Sequence, residues 1–264
     1  MPHLESWPAY LRQFHREYAG ITERVLTQAN DRGLDPYAWV AEPVGPANSV
    51  LDLAGGSGAL ASALPAGTQT VLVDAAGAEL SIARHRCRRT LVQADAARLP
   101  LSGSSIDTVI CSMALMLLPL PEALGEIRRV LRPGGLLVAT IPAGSPLTLA
   151  DRGHYARLLI ALGQARLRYP NDSALVQPAA LFSRAGLALQ ADERRRFVLP
   201  IGDPATGELL LDSLYLPGAE RGRVAAGRRV VRRWTGVELG IPLRRLTARR
   251  VPPPPRAQVD VTNR

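Results

Sequence analysis

The chain of 264 residues contains no lysine, so all 32 of its basic residues are arginine. Cysteine is nearly absent as well, and Cys87 and Cys111 are too few for a disulfide framework. No apolar run approaches the roughly 18 residues that a membrane-spanning helix needs. The N-terminus lacks a charged start followed by an apolar core, and no cysteine and histidine spacing is typical of a metal site. These absences predict a soluble, cytoplasmic protein with no membrane contact and no bound metal.

Positive charge is concentrated toward the C-terminal end. Residues 1–183 hold 16 arginines against 15 acidic residues, whereas residues 184–264 hold 16 arginines against 8 acidic residues. A surface with such an excess can attract phosphates or other acidic partners, nucleic acid among them. The same excess is typical of a solvated face in an arginine-rich protein, so the sequence leaves both interpretations open.

A glycine-rich loop follows the first strongly apolar run of the core. Val50–Leu53 is typical of a buried strand, the loop Ala54–Gly58 comes directly after it, and an Ala- and Leu-rich segment then indicates a helix. This order lets a ligand approach bare backbone at a helix N-terminus, so the pattern predicts a nucleotide-cofactor site. Taken alone it also permits a dinucleotide, because Gly56–Ala61 fits the G-x-G-x-x-A fingerprint and Asp74 follows Asp52 by 22 residues.

Three further features favour a different cofactor. Asp52 precedes the glycines at the end of the strand, where its carboxylate can reach a cationic amino group. A second acidic signal lies in the segment 93–100, and the segment 126–135 leads through an Arg-Pro-Gly-Gly turn into another strand. With these motifs in this order, residues 48–142 resemble the class I S-adenosylmethionine-dependent methyltransferases, and most closely the ubiquinone/menaquinone C-methyltransferase-like (methyltransferase type 11) branch. The resemblance implies S-adenosylmethionine as the cofactor and methyl transfer as the activity.

The resemblance also implies roles for individual residues. The loop would wrap the methionine part of the cofactor, Asp74 would accept hydrogen bonds from the ribose hydroxyls, and Asp95 would accept one from the adenine amine. Asp52 and Asp74 are also residue types that begin turns, which stays open as an alternative. The family usually has glycine where this chain has Ala54. The residues expected at the cofactor are Tyr18, Asp52, Ala54, Gly55, Gly56, Ser57, Gly58, Asp74, Ala75, Asp95, Ala96, Ser112, Met113 and Leu117.

The rest of the chain alternates between strand and helix patterns. Such alternation predicts an α/β fold with a parallel sheet and helices on both faces. The resemblance implies a Rossmann-like class I methyltransferase fold, with a mainly parallel seven-stranded sheet that ends in an antiparallel hairpin. Strands are expected near 49–53, 70–73, 90–93, 107–112, 135–141, 187–197 and 237–249. Helices are expected near 58–64, 77–87, 121–131, 147–167 and 178–185.

Three regions make up the predicted domain organisation. They are an N-terminal helical lid over 1–47, a methyltransferase domain over 48–250 with a helical insert at about 204–236, and a disordered, Pro-rich tail over 251–264. The lid region carries aromatic residues at helical spacing, Trp7, Tyr10, Phe14 and Tyr18. This stripe serves either to cover the cofactor or simply to pack against the core.

The expected chemistry is in-line displacement of a methyl group onto an oxygen, nitrogen or carbon atom of a small-molecule metabolite, as in natural product biosynthesis. A general base is needed only if the acceptor must lose a proton. His154, which follows the fifth strand, is the candidate base, and a surface or capping role is its alternative. Two other functions stay open: an RNA methyltransferase that binds phosphates through its Arg-rich C-terminal third, and a non-methylating binding protein that retains the fold.

Overall fold

The structure, a computed structural model, describes residues 6–46, 49–86 and 89–252. Within these residues one sheet is formed by seven strands, β1 (Ser49–Leu53), β2 (Gln69–Asp74), β3 (Thr90–Gln93), β4 (Ile106–Ser112), β5 (Leu131–Pro142), β6 (Leu187–Ile201) and β7 (Val237–Arg250). Their order is β3–β2–β1–β4–β5–β7–β6. The strands β1 to β5 are mutually parallel, and β7 runs antiparallel to both β5 and β6. The predicted fold class is therefore confirmed.

Helices connect and cover these strands. The helices of the described segments are α1 (Trp7–Glu17), α2 (Ile21–Leu26), α3 (Pro36–Ala41), α4 (Gly77–Arg86), α5 (Leu120–Val130), α6 (Leu149–Leu162), α7 (Pro178–Arg184), α8 (Pro204–Asp212) and α9 (Arg221–Val231). Across the three described stretches, no helix combines the length and the hydropathy that a membrane crossing requires.

The parallel strands are buried on both faces. In β1, Leu51 and Leu53 belong to the same apolar cluster as Ile127 of α5. Val50 belongs to a different cluster, which it shares with Val40 of α3. Because successive side chains of a strand point to opposite faces, these two clusters lie on the two sides of the sheet. Helices therefore cover both faces, as the alternation of patterns predicts.

Two predicted helices are shorter in the structure than in the sequence analysis. The helix expected over 58–64 is only a four-residue 3-10 turn. The chain enters that turn through the left-handed Gly58, and the residues ahead of Pro65 disfavour a longer α-helix. The helix expected over 147–167 is α6, which ends where Gly163 adopts a left-handed conformation.

The β6–β7 hairpin extends beyond the end of β5. Pro142, the last residue of β5, pairs with Leu243, whereas β6 and β7 continue to pair as far as Ile201 and Val237. The sixth strand is thus four residues longer than the predicted 187–197. The overhanging part packs with α6, α8 and α9, and α8 and α9 lie within the predicted insert at 204–236.

The N-terminal helices contact both halves of the molecule. Helix α1 packs on α4, and α2 packs on α8. A short antiparallel bridge joins Asn30 to Val198 of β6. The division into a lid, a domain with an insert and a tail stays a prediction. Of the predicted disordered tail over 251–264, the part from residue 253 onward lies outside the described residues, as does Cys87.

Candidate functional site

The carboxyl ends of β1, β2 and β4 meet at one edge of the sheet, because these neighbouring strands are parallel. The loop Ala54–Gly58 begins where β1 ends, Asp74 is the last residue of β2, and Ser112 is the last residue of β4. The strand order reverses between β1 and β4, and ligands of open α/β sheets bind at such a point. The structure thus brings the predicted cofactor residues of these strands together.

Asp52 lies beneath the glycine loop and is only 2% exposed. A Cβ atom at Gly55 would come within 2.5 Å of the Asp52 Cγ atom, so only glycine fits above this carboxylate. Burial, reinforced by the charge of Asp74, raises the pKa of Asp52 to about 7, and Arg89 opposes the rise. The Asp52 Oδ1 atom has no hydrogen-bond partner among the described residues. A buried oxygen in this condition is available to a donor or a cation that a ligand brings.

The Asp74 carboxylate connects β2 to the glycine loop. Its Oδ2 atom accepts a hydrogen bond from the Gly56 N–H at 2.9 Å, and its Oδ1 atom accepts one from the Ala76 N–H at 2.8 Å. Burial raises the pKa of Asp74, and these two hydrogen bonds oppose the rise. Asp74 therefore does form the turn that the sequence leaves open. Each oxygen keeps a further lone pair, so the role of Asp74 toward a ribose stays a prediction that the geometry permits.

Three residues of the glycine loop have a left-handed backbone. The φ angles are 53° at Ala54, 53° at Gly56 and 82° at Gly58. Glycine adopts this conformation freely, whereas the Cβ of alanine makes it unfavourable by roughly 1 to 2 kcal/mol. This strain is the physical consequence of having Ala54 at a position where the family usually has glycine. Ser57, between the two glycines, is buried and donates a hydrogen bond to Glu23 of α2.

The adenine end of the predicted site is more open. Asp95 is exposed, and its Oδ1 atom accepts a hydrogen bond from the Ala97 N–H at 2.9 Å. Ala96 is buried, whereas Ala75 is exposed. Because β3 pairs in parallel with β2, Asp95 follows β3 at the same edge of the sheet as Asp74. The Asp95 side chain is accessible to a ligand amine there.

The residues that follow β4 line the next part of this edge. The Ser112 Oγ atom lies 3.0 Å from the Thr140 Oγ1 atom of β5, and the Met113 N–H donates to the Thr140 carbonyl at 2.8 Å. Met113 has a φ of 58° and packs against the two largest apolar clusters. The Leu117 N–H donates to the Ala114 carbonyl at 2.7 Å, which closes a turn. Half-buried Met113 and Leu117 leave an apolar surface at the end of β4.

The sequence analysis missed two carboxylates beside the glycine loop. Glu79 of α4 is buried; its Oε2 atom accepts a hydrogen bond from the Gly20 N–H at 3.0 Å, and its Oε1 atom lies 3.0 Å from the His15 Nδ1 atom. Glu23 accepts the hydrogen bond from Ser57. These partners are 59, 64 and 34 residues apart along the chain, so no local pattern could have indicated them.

The aromatic stripe of α1 packs against the segment that follows α8. The ring centroid of Phe14 lies 4.6 Å from that of Tyr215 and 5.3 Å from that of Tyr18. The Tyr10 hydroxyl accepts a hydrogen bond from the Leu216 N–H at 2.8 Å. Tyr18 is the most accessible member of the group, at 39% exposure. The stripe therefore packs, while its last ring stays open to solvent or a ligand.

His154 lies on α6, away from the contacts that surround the glycine loop. Its ring centroid is 5.3 Å from that of Trp234 in an edge-on arrangement. Its Nδ1 atom is buried and has no hydrogen-bond partner within the described segments. None of its described contacts joins it to Asp52 or Asp74, so a role for His154 as a base stays a prediction.

A cavity of about 130 Å³ opens next to the carboxyl ends of β4 and β5. Met116, Ile141 and Tyr169 line it, together with the Arg244 side chain. Burial and the nearby charge of Asp172 raise the pKa of the Tyr169 phenol to about 12, so this phenol is neutral at ordinary pH. The cavity thus presents apolar side chains and a neutral phenol, together with the charged side chains of Asp172 and Arg244, to a molecule bound beside β4.

Comparisons with known proteins agree with this geometry. Residues 51–139 match a family model described as Methyltransferase domain. A demethylmenaquinone methyltransferase of Clavibacter sepedonicus is 37% identical over 111 residues, which cover 40% of this chain and 45% of that protein. The chain spans about half the length of the curated relatives it matches.

Solved structures with a similar fold are more distant in sequence. The [4+2]-cyclase SpnF is 23% identical, with a TM-score of 0.52, and the match covers 82% of this chain and 81% of that one. A phosphoethanolamine N-methyltransferase of Haemonchus contortus, solved with phosphomonomethylethanolamine and S-adenosylhomocysteine, is 17% identical. Its TM-score is 0.54, and the match covers 95% of this chain and 61% of that one. These two structures show the fold alone.

Residues 51–139 thus match a methyltransferase domain, in agreement with the branch that the sequence resembles, and S-adenosylmethionine is the cofactor that such a domain implies. The residues present fit this molecule, which carries a cationic sulfonium and a cationic amino group. Asp52 offers an unpartnered carboxylate oxygen, and Gly55 lets a ligand approach it closely. Asp74 and Glu79 add two further buried or half-buried carboxylates.

Proposed function

We propose that this chain is an S-adenosylmethionine-dependent methyltransferase that acts on a small-molecule metabolite at an oxygen, nitrogen or carbon atom. The observation that carries the proposal is the buried Asp52 carboxylate, whose Oδ1 atom is unpartnered among the described residues, beneath a position, Gly55, that only glycine can occupy. The relative from Clavibacter sepedonicus, named for methylation of demethylmenaquinone, supports a small-molecule acceptor. A cytoplasmic location and a place in natural product biosynthesis are parts of the same proposal.

When bound, the cofactor supplies a methyl group that its sulfonium makes electrophilic. The protein's task is to bind it, orient it and exclude water. Asp52 would accept a hydrogen bond from the amino group, and that cation would favour the ionised form of Asp52 against the effect of burial. Asp74 and Asp95 would hold the ribose and the adenine at the ends of β2 and β3.

The acceptor would bind beside β4 and β5. The cavity there is small, at about 130 Å³, and its lining suits a partly apolar molecule. Met113 and Leu117 would separate this acceptor from the adenine side of the cleft. If the acceptor must lose a proton, His154 is the base that we propose for it, as an expectation from the sequence.

Calorimetric titration with S-adenosylmethionine tests the cofactor assignment. We expect the wild-type protein to bind and Asp74→Ala to bind at least about 100-fold more weakly, because hydrogen bonds to a charged group are each worth about 1.5 to 3 kcal/mol. Asp74→Asn keeps the volume of the side chain and should show most of the same loss. Asp203→Ala, which removes an exposed cap of α8 whose hydrogen bonds go to Thr206, is the matched control. Equal affinity in wild type and Asp74→Ala would exclude the assignment.

The RNA alternative rests on a shallow groove along α9 that Arg221, Arg228, Arg229 and Arg232 line. Two of these arginines already pair with carboxylates, since Arg228 contacts Glu208 and Asp212, and Arg232 contacts Glu208. Less positive charge is therefore available to bind phosphates in this groove than the composition of the chain indicates. RNA binding through this groove would weaken steeply as salt is added. Binding that salt leaves unchanged would count against it.

A single labelling experiment separates the three functions. The protein is incubated with S-adenosylmethionine labelled in its methyl group and with a cell extract, which is then divided into small-molecule and RNA fractions. Label in the small-molecule fraction supports the proposal, and label in RNA supports the alternative. Tight cofactor binding without label in either fraction would favour a non-methylating protein, a class that the fold alone leaves open because one neighbour is a cyclase by name.

A further inference from the structure

The glycine loop is attached to the N-terminal helices through one side chain. Ser57 lies between the left-handed Gly56 and Gly58, and it is only 4% exposed. Its hydroxyl donates a hydrogen bond to the Glu23 carboxylate of α2. Glu23 lies outside residues 51–139, so the part of the chain that matches the family model does not include this contact.

Glu23 also forms a partly exposed ion pair. Its carboxylate pairs with Arg86 at the end of α4, and the Glu23 side chain is 14% exposed where that of Arg86 is 46% exposed. Glu23 therefore lies on the buried side of this ion pair, toward the loop. It joins three elements: α2, which carries it, the glycine loop and α4.

A second contact fixes α2 relative to the loop. Gly20, just ahead of α2, donates its N–H to Glu79 of α4 at 3.0 Å. A Cβ atom at Gly20 would lie 3.8 Å from the Ser57 Cβ atom, so the backbone here rests directly on the loop. His15 of α1 contacts the other oxygen of Glu79 at 3.0 Å. Two carboxylates, Glu23 and Glu79, thus connect the N-terminal helices to the region around Ser57.

We propose that Glu23 is a positioning residue of the cofactor site: by holding Ser57, it keeps the glycine loop in the conformation that binds S-adenosylmethionine, and it makes the N-terminal helices part of that site. The inference rests on the proposed function. Gly55, Gly56 and Gly58 give this loop many alternative conformations when it is not held. A hydrogen bond to a charged carboxylate, made at a buried position, restricts them before the ligand arrives.

The test compares cofactor affinity in matched variants by calorimetry. We expect Glu23→Ala to bind S-adenosylmethionine about tenfold more weakly or worse, the loss of one hydrogen bond to a charged group. Glu17→Ala is the control, because Glu17 is exposed on α1 and accepts a hydrogen bond from the exposed Gln13. Arg86→Gln should stay within about twofold of wild type, because a half-exposed ion pair contributes little. A loss in Arg86→Gln as large as that in Glu23→Ala would overturn the proposal.

Coupling to Ser57 distinguishes positioning from a general structural effect. We expect Ser57→Ala to lose the same affinity as Glu23→Ala, and the double variant to lose no more than either one. If the fold loss of affinity in the double variant equalled the product of the two single losses, the proposal would be contradicted. The ordinary thioether product, S-adenosylhomocysteine, shares the methionine part but lacks the sulfonium charge. Equal fold losses for both molecules are expected. A loss confined to S-adenosylmethionine would contradict the proposal, because Glu23 would then act through its charge and not by holding the loop.

Hydrogen exchange gives a readout that needs no ligand. In Glu23→Ala the amides of residues 55–58 should exchange faster than in wild type, while those of β4 and β5 should be unchanged. Unchanged exchange of the loop would overturn the inference. Failure of the wild-type protein to bind S-adenosylmethionine would instead contradict the proposed function, so the two failures are distinguishable.

Discussion

Two regions of this molecule hold carboxylates in opposite ways. At the cofactor edge, burial raises the pKa of Asp52 and of Asp74, and Asp52 Oδ1 lacks a hydrogen-bond partner among the described residues. At the β6–β7 hairpin, arginines hold the pKa values of carboxylates below their usual range. The Arg244 guanidinium does so for Asp192. The two regions differ in the donors that their sequences supply.

Asp151 shows the contrast most clearly, because it is as buried as Asp52. Burial alone would raise the pKa of Asp151, but hydrogen bonds from Arg196 and Thr148 and from the Gly240 N–H hold it well below its usual range. Arg196 Nε and Nη2 contact its two oxygens at 2.7 and 3.0 Å. For these two equally buried carboxylates, the donors therefore decide the direction of the pKa shift. Asp151 is saturated by the protein, whereas Asp52 is left for a ligand.

The largest effect on stability is expected from a change at Asp151, because the protein already donates hydrogen bonds to both of its oxygens. Asp151→Asn removes the charge that Arg196 faces and weakens the cap of α6, so we expect a loss of about 3 kcal/mol in the free energy of unfolding at pH 7. Urea denaturation measures it. Asp212→Asn, at a partly exposed ion pair with Arg228, is the control and should lose under about 1 kcal/mol. Similar small losses in both would remove the distinction between the two regions.

Removing the charge of Asp52 is expected to have the opposite effect on the free energy of unfolding. Its pKa of about 7 in the folded protein lies above the value of about 4 in an unfolded chain, so the folded state without cofactor holds the proton more tightly. The wild-type protein should therefore lose stability as pH rises from 4 to 7. Asp52→Asn carries no charge there and should be about 2 kcal/mol more stable than wild type at pH 8, with little difference at pH 4.

Denaturation at the two pH values, without cofactor, provides the measurement for Asp52→Asn. Asp192→Asn is the counterpart, because the lowered pKa of Asp192 contributes stability above the unfolded pKa that is lost as pH falls. That variant should be less stable than wild type at pH 8. Two variants that respond to pH in the same direction would contradict the contrast between the regions.

The smallest effect concerns the backbone of the cofactor edge. Ala54→Gly relieves left-handed strain but increases the freedom of the unfolded chain, so we expect a net gain of about 0.5 kcal/mol. Thermal denaturation measures it. Ala59→Gly, in the adjoining 3-10 turn, has no such strain to relieve and should lose stability. A loss in Ala54→Gly as large as in Ala59→Gly would show that the positive φ carries no strain.

The arginines of the C-terminal third illustrate what composition alone cannot indicate. Their excess over acidic residues predicts either a phosphate-binding surface or a solvated face. In the structure Arg196, Arg244 and Arg245 each form ion pairs with carboxylates, and Arg245 also lies 4.6 Å from the centroid of the Trp39 ring. A part of the excess is thus internal to the fold, which the number of charges in a sequence does not reveal.

The fold and the position of the cofactor edge could be predicted because they depend on local signals. Apolar runs that alternate with amphipathic segments specify parallel strands and helices, and a glycine loop after β1 needs only small residues at consecutive positions. Acidic residues at the ends of β1 and β2 follow from the same pattern, since parallel strands end at one edge. The predicted boundaries of an element were wrong where a single residue ends it, as Gly163 ends α6.

Local sequence patterns do not indicate which distant side chains the residues of the site contact. Ser57 meets Glu23, Glu79 meets His15 and Asp151 meets Arg196 only because helices and hairpins that are 34 to 64 residues apart in the chain pack against one another. Those contacts decide which carboxylates are saturated and which stay available. The sequence therefore indicates the methyl donor through the glycine loop together with Asp52, the acidic segment 93–100 and the Arg-Pro-Gly-Gly turn. The packing of distant elements determines how that loop is held, because hydrogen bonds and charges act across space rather than along the chain.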